Sequence, residues 1–229
     1  MKNGSGVEAG RFGSWADTNT AQIFKVHSSG FKRAMDLLLT IPVVIFGSPL
    51  LVVIYGLLKI FDPGPALFTQ LRVGKDGRTF TVYKFRTMRT DAQARLDQLL
   101  ASDPEAAAEW AKFQKLRNDP RITVLGRVLR KSSLDELPQL LNIVRGEMSV
   151  IGPRPVTSAE VHRYGAEYDF YIAVRPGVLG LWQVSGRNKL TYPERIKLDV
   201  KYVKDWSIWM DFSILMRAIP VVLFGRGAY

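Results

Sequence analysis

Asp135 and Glu136 stand side by side in Arg130-Lys131-Ser132-Ser133-Leu134-Asp135-Glu136-Leu137-Pro138-Gln139-Leu140. Two adjacent carboxylates can hold a divalent cation, attack phosphorus, or cap a helix. Ser133 precedes Glu136 by three residues, the spacing of a capping box. In that arrangement the serine bonds the amide at Glu136 and the glutamate reaches back. Pro138 competes with this arrangement, because with Ser133 as N-cap it lies too deep in the helix. With Pro138 as the first helical residue, both acids fall on the turn before it, freer to bind a metal. Spacing alone leaves both arrangements open.

The neighbours favour phosphate chemistry. Arg130 and Lys131 lie just upstream, Arg154 sits in the rigid loop Gly152-Pro153-Arg154-Pro155, and Lys84-Phe85-Arg86 closes an expected strand. Arginine forks match phosphate oxygens in bidentate fashion, and a helix N-terminus adds oriented N–H donors. Carboxylates with Mg²⁺, ringed by arginines, suit phosphoryl transfer. An aspartate can also attack phosphorus itself and form an acyl phosphate. Glycoside hydrolysis fits poorly, because its carboxyl pair faces across the sugar bond, about 5 to 9.5 Å apart. Gly74 and Gly77 read as turn residues, and no Walker-type phosphate loop is present.

Composition narrows the partners. Among 229 residues, 32 Lys and Arg face 21 Asp and Glu, a net charge of +11. That surplus suits nucleic acid, phospholipid or a phosphorylated substrate. With no cysteine and only His27 and His162, a thiolate zinc site, a disulfide framework and a His-rich metal site are excluded. A hard cation on carboxylates remains: Mg²⁺, Mn²⁺ or Ca²⁺.

The elements that must position these groups begin after a polar stretch, residues 1–29, read as a flexible tail without the apolar core of a signal peptide. From Ala34 to Leu58 only Asp36 is charged. Roughly 25 residues at 1.5 Å each reach about 38 Å, enough for a bilayer core of about 30 Å. A spanning helix, a buried core helix and a re-entrant helix all fit. Pro49 withdraws a hydrogen bond from the carbonyl of Ile45, and Ser48 stands ready to bond the freed carbonyl. Pro42 adds a second irregularity. Basic residues flank both ends, Lys32 and Arg33 before and Lys59, Arg72 and Lys75 after, which opposes placing one end outside.

Beyond the breaker Asp62-Pro63-Gly64-Pro65, strands over Ala66–Gln70 and Thr79–Phe85 flank an Asp-Gly turn. Helices are expected over Asp91–Leu100, Glu105–Leu116 and Leu125–Lys131. Another carries Leu137, Leu140, Leu141 and Val144 on one face, with Gly146 as its stop. Thr191-Tyr192-Pro193-Glu194 has capping-box spacing and opens a helix to Lys204. Trp206–Arg217 fits either a core helix or one lying in a membrane interface.

The segments Lys84-Phe85-Arg86-Thr87-Met88, Asn118-Asp119-Pro120-Arg121-Ile122-Thr123, Leu129 to Gln139, Gly152-Pro153-Arg154-Pro155 and Trp182-Gln183-Val184-Ser185-Gly186-Arg187-Asn188 occur in order. Through them the chain resembles the bacterial sugar transferases, the monotopic polyprenyl-phosphate phosphoglycosyl transferases. The resemblance covers nearly everything after Phe31. It implies an α/β fold (α+β, mostly helical) with an N-terminal re-entrant membrane helix and interfacial amphipathic helices. Residues 30–61 would form the membrane helix, broken at Ser48-Pro49, and residues 62–229 a catalytic domain on the cytoplasmic face of the bacterial inner membrane.

The implied reaction transfers sugar 1-phosphate from a UDP-sugar to undecaprenyl phosphate, releasing UMP, as the first membrane step of exopolysaccharide or O-antigen synthesis. The C-terminal segments favour UDP-galactose or UDP-glucose. Asp135 would be the nucleophile that carries a covalent phosphosugar. Glu136 would be its partner, and both would ligate Mg²⁺. Arg130, Arg154, Lys84, Arg86 and Arg187 would bind phosphate or substrate. With about 30 mostly polar residues ahead of the membrane helix, the chain resembles the minimal form of the family. Inner-membrane lipids and a second copy in a homodimer complete the partners considered. The rival readings are a non-catalytic membrane scaffold for phosphorylated lipid, which has no need of the acid pair, and a nucleic-acid binder. The latter rests on net charge and leaves Ala34–Leu58 without a role, so no nucleic-acid partner is expected.

Overall fold

Helix α1, Gly30–Phe61, runs without interruption through Pro42 and Pro49 in the computed structural model, which describes residues 30–113, 116, 119–186 and 190–224. The expected tail at 1–29, Asn118 and Arg187 of the motifs, and the last five residues lie outside those described. Among the described residues α1 is the one helix long and apolar enough to cross a membrane. Its expected break at Ser48-Pro49 is not a gap in the helix. Pro49 has no N–H for the Ile45 carbonyl, and the Ser48 hydroxyl donates to that oxygen at 2.8 Å instead, so the polar group is satisfied and the helix continues.

Burial along α1 is confined to its two ends: Lys32, Asp36 and Thr40 at one, Ile54 and Leu58 at the other. At 100° per residue these five share one face, within an arc of about 80°. Val43 and Leu50 lie on the same face between them, yet are 48% and 45% exposed. The middle turns therefore stand clear of the protein on every side, and Phe46 is 83% exposed.

Each end of α1 is fastened differently. At the first, Lys32 Nζ donates to Asp211 Oδ2 at 2.5 Å, and Asp36 Oδ1 accepts from Ser149 Oγ at 2.9 Å and from the Val150 amide at 3.0 Å. Arg33 donates to the carbonyls of Ile143 and Val144. At the second, Ile54 and Leu58 pack with Ala66, Phe85 and Leu129. Each such buried aliphatic or aromatic side chain contributes about 1.5–3 kcal/mol.

Strands β1 (Leu67–Val73) and β2 (Thr79–Phe85) form an antiparallel hairpin, with Lys84 opposite Phe68. The turn needs positive φ at Asp76 and Gly77, which an Asp-Gly pair tolerates. Helices α2 (Ala92–Ser102) and α3 (Pro104–Phe113) follow, then α4 (Val124–Lys131), which opens on Thr123 accepting the Gly126 amide. A 3₁₀ turn, Leu134–Gln139, runs into α5 (Leu140–Arg145), which Gly146 stops at φ 81°. This turn replaces the α-helical start expected there.

Strands β3 (Ser149–Ile151) and β4 (Gly177–Leu179) pair in parallel, a sheet the sequence did not announce. Gly152 and Gly177 lie backbone to backbone beside it, where a Cβ on Gly177 would stand 2.1 Å from the Gly152 amide. A second 3₁₀ stretch, Ser158–Glu167, leads into the short helices α6 (Tyr168–Ile172) and α7 (Leu181–Val184). Helix α8 (Tyr192–Lys204) has the expected capping box of Thr191 and Glu194. Helix α9 (Ile208–Phe224) packs one face on the core: Asp211, Ile214 and Ala218 are buried, while Trp209, Phe212, Met216 and Ile219 face outward. The chain is mostly helical with small sheets.

Candidate functional site

The 3₁₀ turn that carries Asp135 is held from below by Asn142, which is fully buried. Its amide donates to the Thr81 carbonyl at 2.7 Å, and its Oδ1 accepts from the Tyr83 amide at 3.3 Å. Asn142 thereby fixes α5, and the turn that feeds it, against β2. Lys84, three residues on from Thr81, then meets Glu136: Nζ to Oε1 is 2.5 Å.

The capping box expected at Ser133 and Glu136 does not form. Ser133 takes a left-handed conformation, φ 58° and ψ 16°, and its side chain makes no cap bond. A capping serine needs extended backbone to aim its hydroxyl back at the turn, and the left-handed residue points it elsewhere. The Glu136 carboxylate goes to Lys84 instead of the Ser133 amide. The acids thus stand in the first turn of the 3₁₀ stretch without a capping box.

Asp135 is pushed up to about 6. Burial is the largest cause and the neighbouring Glu136 charge adds to it, while Lys84 and Arg130 pull the other way. Arg130, on α4, is itself lowered by burial, and its Nε donates to Thr87 Oγ1 at 2.8 Å. The α4 backbone can approach Thr87 because residue 126 is glycine; a Cβ there would lie 2.1 Å from the Thr87 carbonyl oxygen.

Lys84, Glu136 and Arg154 line one cleft, together with Arg72, Gln70 and Gln139. Arg154 is exposed and lies over the Trp182 ring at 5.7 Å. Of the predicted cations, Arg86 is placed elsewhere. It is buried at the foot of β2, forms an ion pair with the Asp62 carboxylate at 3.2 Å and donates a hydrogen bond to the carbonyl of that residue. It ties the segment after α1 to the hairpin.

Arg72, Glu160, Arg195, Asp199 and Trp182 were not read from the sequence as site residues. Arg72 donates to Pro155 O and to Glu160 Oε2, both at 3.1 Å, and so holds the loop that bears Arg154. Arg195 and Asp199 lie one turn apart on α8, whose existence was legible, but nothing local marks which of its faces turns inward.

Asp135 and Glu136 suit Mg²⁺ by donor chemistry. That ion takes one or two carboxylates and completes its shell with waters and substrate phosphates. No third Asp, Glu or His joins them in a metal-sized group among the described residues.

The fold thus combines a long apolar helix, exposed over its middle turns, with a cleft lined by Arg72, Lys84, Arg154 and Glu136. The chain belongs to the bacterial sugar transferase family, whose model matches residues 27–225. It is 49% identical over 206 residues to an undecaprenyl-phosphate galactose phosphotransferase of Salmonella typhimurium, covering 90% of this chain and 43% of that one. It is 47% identical over 198 residues to the exopolysaccharide production protein ExoY of Sinorhizobium fredii, covering 86% and 88%. It is 38% identical over 206 residues to a UDP-glucose:undecaprenyl-phosphate glucose-1-phosphate transferase of Caulobacter vibrioides, covering 86% and 72%. The chain thus spans less than half of the Salmonella protein and nearly all of the Sinorhizobium one.

Proposed function

We propose that this protein transfers sugar 1-phosphate from UDP-galactose or UDP-glucose to undecaprenyl phosphate, releasing UMP, in exopolysaccharide or O-antigen synthesis. The observation that carries the reading is Asp135: a half-buried carboxylate, held at about 6 under the charges of Lys84 and Arg130, and next in sequence to Glu136, which lines the cleft with Lys84 and Arg154. The choice of substrates is supported by the Salmonella and Caulobacter relatives, a galactose phosphotransferase and a UDP-glucose-dependent transferase, each acting on undecaprenyl phosphate.

In the first step an Asp135 oxygen attacks the phosphorus that bears the sugar. The bond from that phosphorus to the bridging oxygen breaks, and UMP leaves with its electron pair. In the second step an oxygen of undecaprenyl phosphate attacks the same phosphorus and displaces the Asp135 carboxylate. The product is the lipid-linked diphosphate sugar, and the enzyme is regenerated. A carboxyl near 6 is mostly ionised at neutral pH, yet more basic than an ordinary aspartate, which suits a nucleophile.

Arg154 and Lys84 offset the charge repulsion between the anionic nucleophile and the anionic diphosphate. Asp135 and Glu136 would hold Mg²⁺, which when bound neutralises diphosphate charge.

Helix α1 enters and leaves the bilayer on one face in this reading. Its support is that both ends of α1 pack on the same body while the apolar turns between them are exposed. A spanning helix would carry one end to the far side. The outward apolar face of α9 would lie at headgroup depth, and the net charge of +11 suits an anionic cytoplasmic leaflet.

The direct test supplies the membrane-bound full chain with undecaprenyl phosphate, Mg²⁺ and a panel of UDP-sugars. UMP release is expected with UDP-galactose or UDP-glucose. Release from none of the panel would overturn the reading.

A further inference from the structure

Gln139 closes the 3₁₀ turn that carries Asp135 and Glu136. It is 3% exposed and lines the cleft with Lys84, Glu136 and Arg154. A buried carboxamide ordinarily uses its N–H donors and its carbonyl on protein partners. Asn142, three residues on, does so: its amide reaches Thr81, Tyr83 and Glu147. Gln139 does not. Its side chain makes no cap bond to the helix that follows and no hydrogen bond to any described residue. Nor is its amide among the unpartnered polar atoms sealed off from solvent. The amide of this buried residue therefore opens on the cleft that the residue lines.

Most other polar side chains of the cleft are committed within the protein. Lys84 holds Glu136, Arg72 holds Gln70, Glu160 and the Pro155 carbonyl, and Gln183 donates to the Val178 carbonyl. Residues three apart eclipse one another on a 3₁₀ turn, so Gln139 stands over Glu136, on the nucleophile's own turn. A carboxamide is neutral and offers donors and an acceptor together. An ionised phosphate oxygen only accepts, and is matched by cations such as Arg154 and Lys84. A sugar hydroxyl both donates and accepts. The sugar sits on the phosphorus that Asp135 attacks, whereas the uridine lies one phosphate further away.

We infer that Gln139 contacts the sugar of the nucleotide sugar, bonding one of its hydroxyls through the side-chain carboxamide, and so helps to select the hexose. Gln139 acts there in the transfer proposed above, on which this assignment rests. A buried amide without a protein partner destabilises a fold, and contact with substrate accounts for its presence.

The test compares the wild type with Gln139→Met, which keeps length and volume and removes both polar atoms, in the full membrane-bound chain. UMP release is measured with UDP-galactose or UDP-glucose, and with UDP-hexoses lacking one hydroxyl at a time. Gln139→Met is expected to lower kcat/KM about tenfold on the intact substrate. One deoxy analogue is expected to lower it about tenfold in the wild type, yet by less than about twofold in the variant. UDP, which has both phosphates and uridine but no sugar, should inhibit both proteins equally. The variant should melt no lower than the wild type, because no protein hydrogen bond is lost; a structural amide would give the opposite.

Should Gln139→Met fail to fold, Gln139→Asn, which draws the carboxamide back by one methylene, carries the same comparison. Wild-type kcat/KM in the variant overturns the inference, and so do deoxy penalties that persist in it undiminished. UDP inhibition that weakens as much as kcat/KM gives Gln139 to the nucleotide instead, and overturns it too. Absence of UMP release by the wild type from every UDP-sugar overturns the transfer reading and this assignment together, a distinct outcome.

Discussion

Lys84 Nζ lies 2.5 Å from Glu136 Oε1, next door to Asp135. The lysine thus acts on both acids: it pairs with one directly and draws the other downward through its charge. Lys84→Met removes both effects. Asp135 then rises above about 6, and the ionised fraction falls further at any pH below that value. The rate of UMP release should show an acid limb near pH 6 in the wild type, displaced upward in Lys84→Met, with a loss greater at pH 6 than at pH 8. Rate profiles from pH 5 to 9 check this; an undisplaced limb would argue that another group sets it.

The raised Asp135 also has a stability consequence. A carboxyl held above its ordinary value favours the folded state at low pH and opposes it as pH rises through about 6. At pH 7.5 Asp135→Asn should therefore stabilise the fold, by roughly 2 kcal/mol after allowing for partial exposure. The difference should close by about pH 3, below the ordinary aspartate value, where Asp135 is neutral in the folded and the unfolded chain alike. Thermal melting at the two pH values reads it, and a destabilised variant at pH 7.5 would contradict the electrostatics.

At the other end of the molecule, Lys32 is the buried cation between Asp36 and Asp211, at 3.7 and 2.5 Å. Lys32→Met leaves two buried carboxylates without it, a change that costs about 3–5 kcal/mol. Adding Asp211→Asn should restore part of the loss. Melting of the protein in detergent measures both variants, and an unchanged Lys32→Met would mean that α1 is held by its other fastenings alone.

The topology of α1 is tested with the chain's lack of native cysteine. Phe31→Cys and Phe61→Cys place thiols at the two exposed ends of the helix. Both should resist a membrane-impermeant maleimide in intact cells and react in inverted vesicles. Reaction of one from each side would establish a spanning helix.

Much of this was legible along the chain, and what was not has physical causes. The apolar run of α1, the Asp-Gly hairpin and the Thr191–Glu194 box are local signals, and each formed where the residues placed it. The box at Ser133 had the same spacing as that at Thr191, yet failed because Ser133 is left-handed and Lys84, 52 positions upstream, captures Glu136. Strands β3 and β4 are three residues each, too short to show an alternating pattern. Arg86 and Arg154 look alike as cations near strand and loop ends. Only tertiary packing gives the first to Asp62 and the second to the cleft. Gln139 and Arg154 line one cleft from separate segments, and no spacing announces it.

The central claim is that Asp135 itself carries the sugar phosphate, and its most direct measurement is mass spectrometry of the protein after brief exposure to UDP-galactose or UDP-glucose with Mg²⁺ and no lipid acceptor. The account predicts a hexose-phosphate adduct on Asp135, discharged by undecaprenyl phosphate and absent from Asp135→Asn. Steady UMP release by the Asp135→Asn variant, or an adduct on another residue, would contradict it.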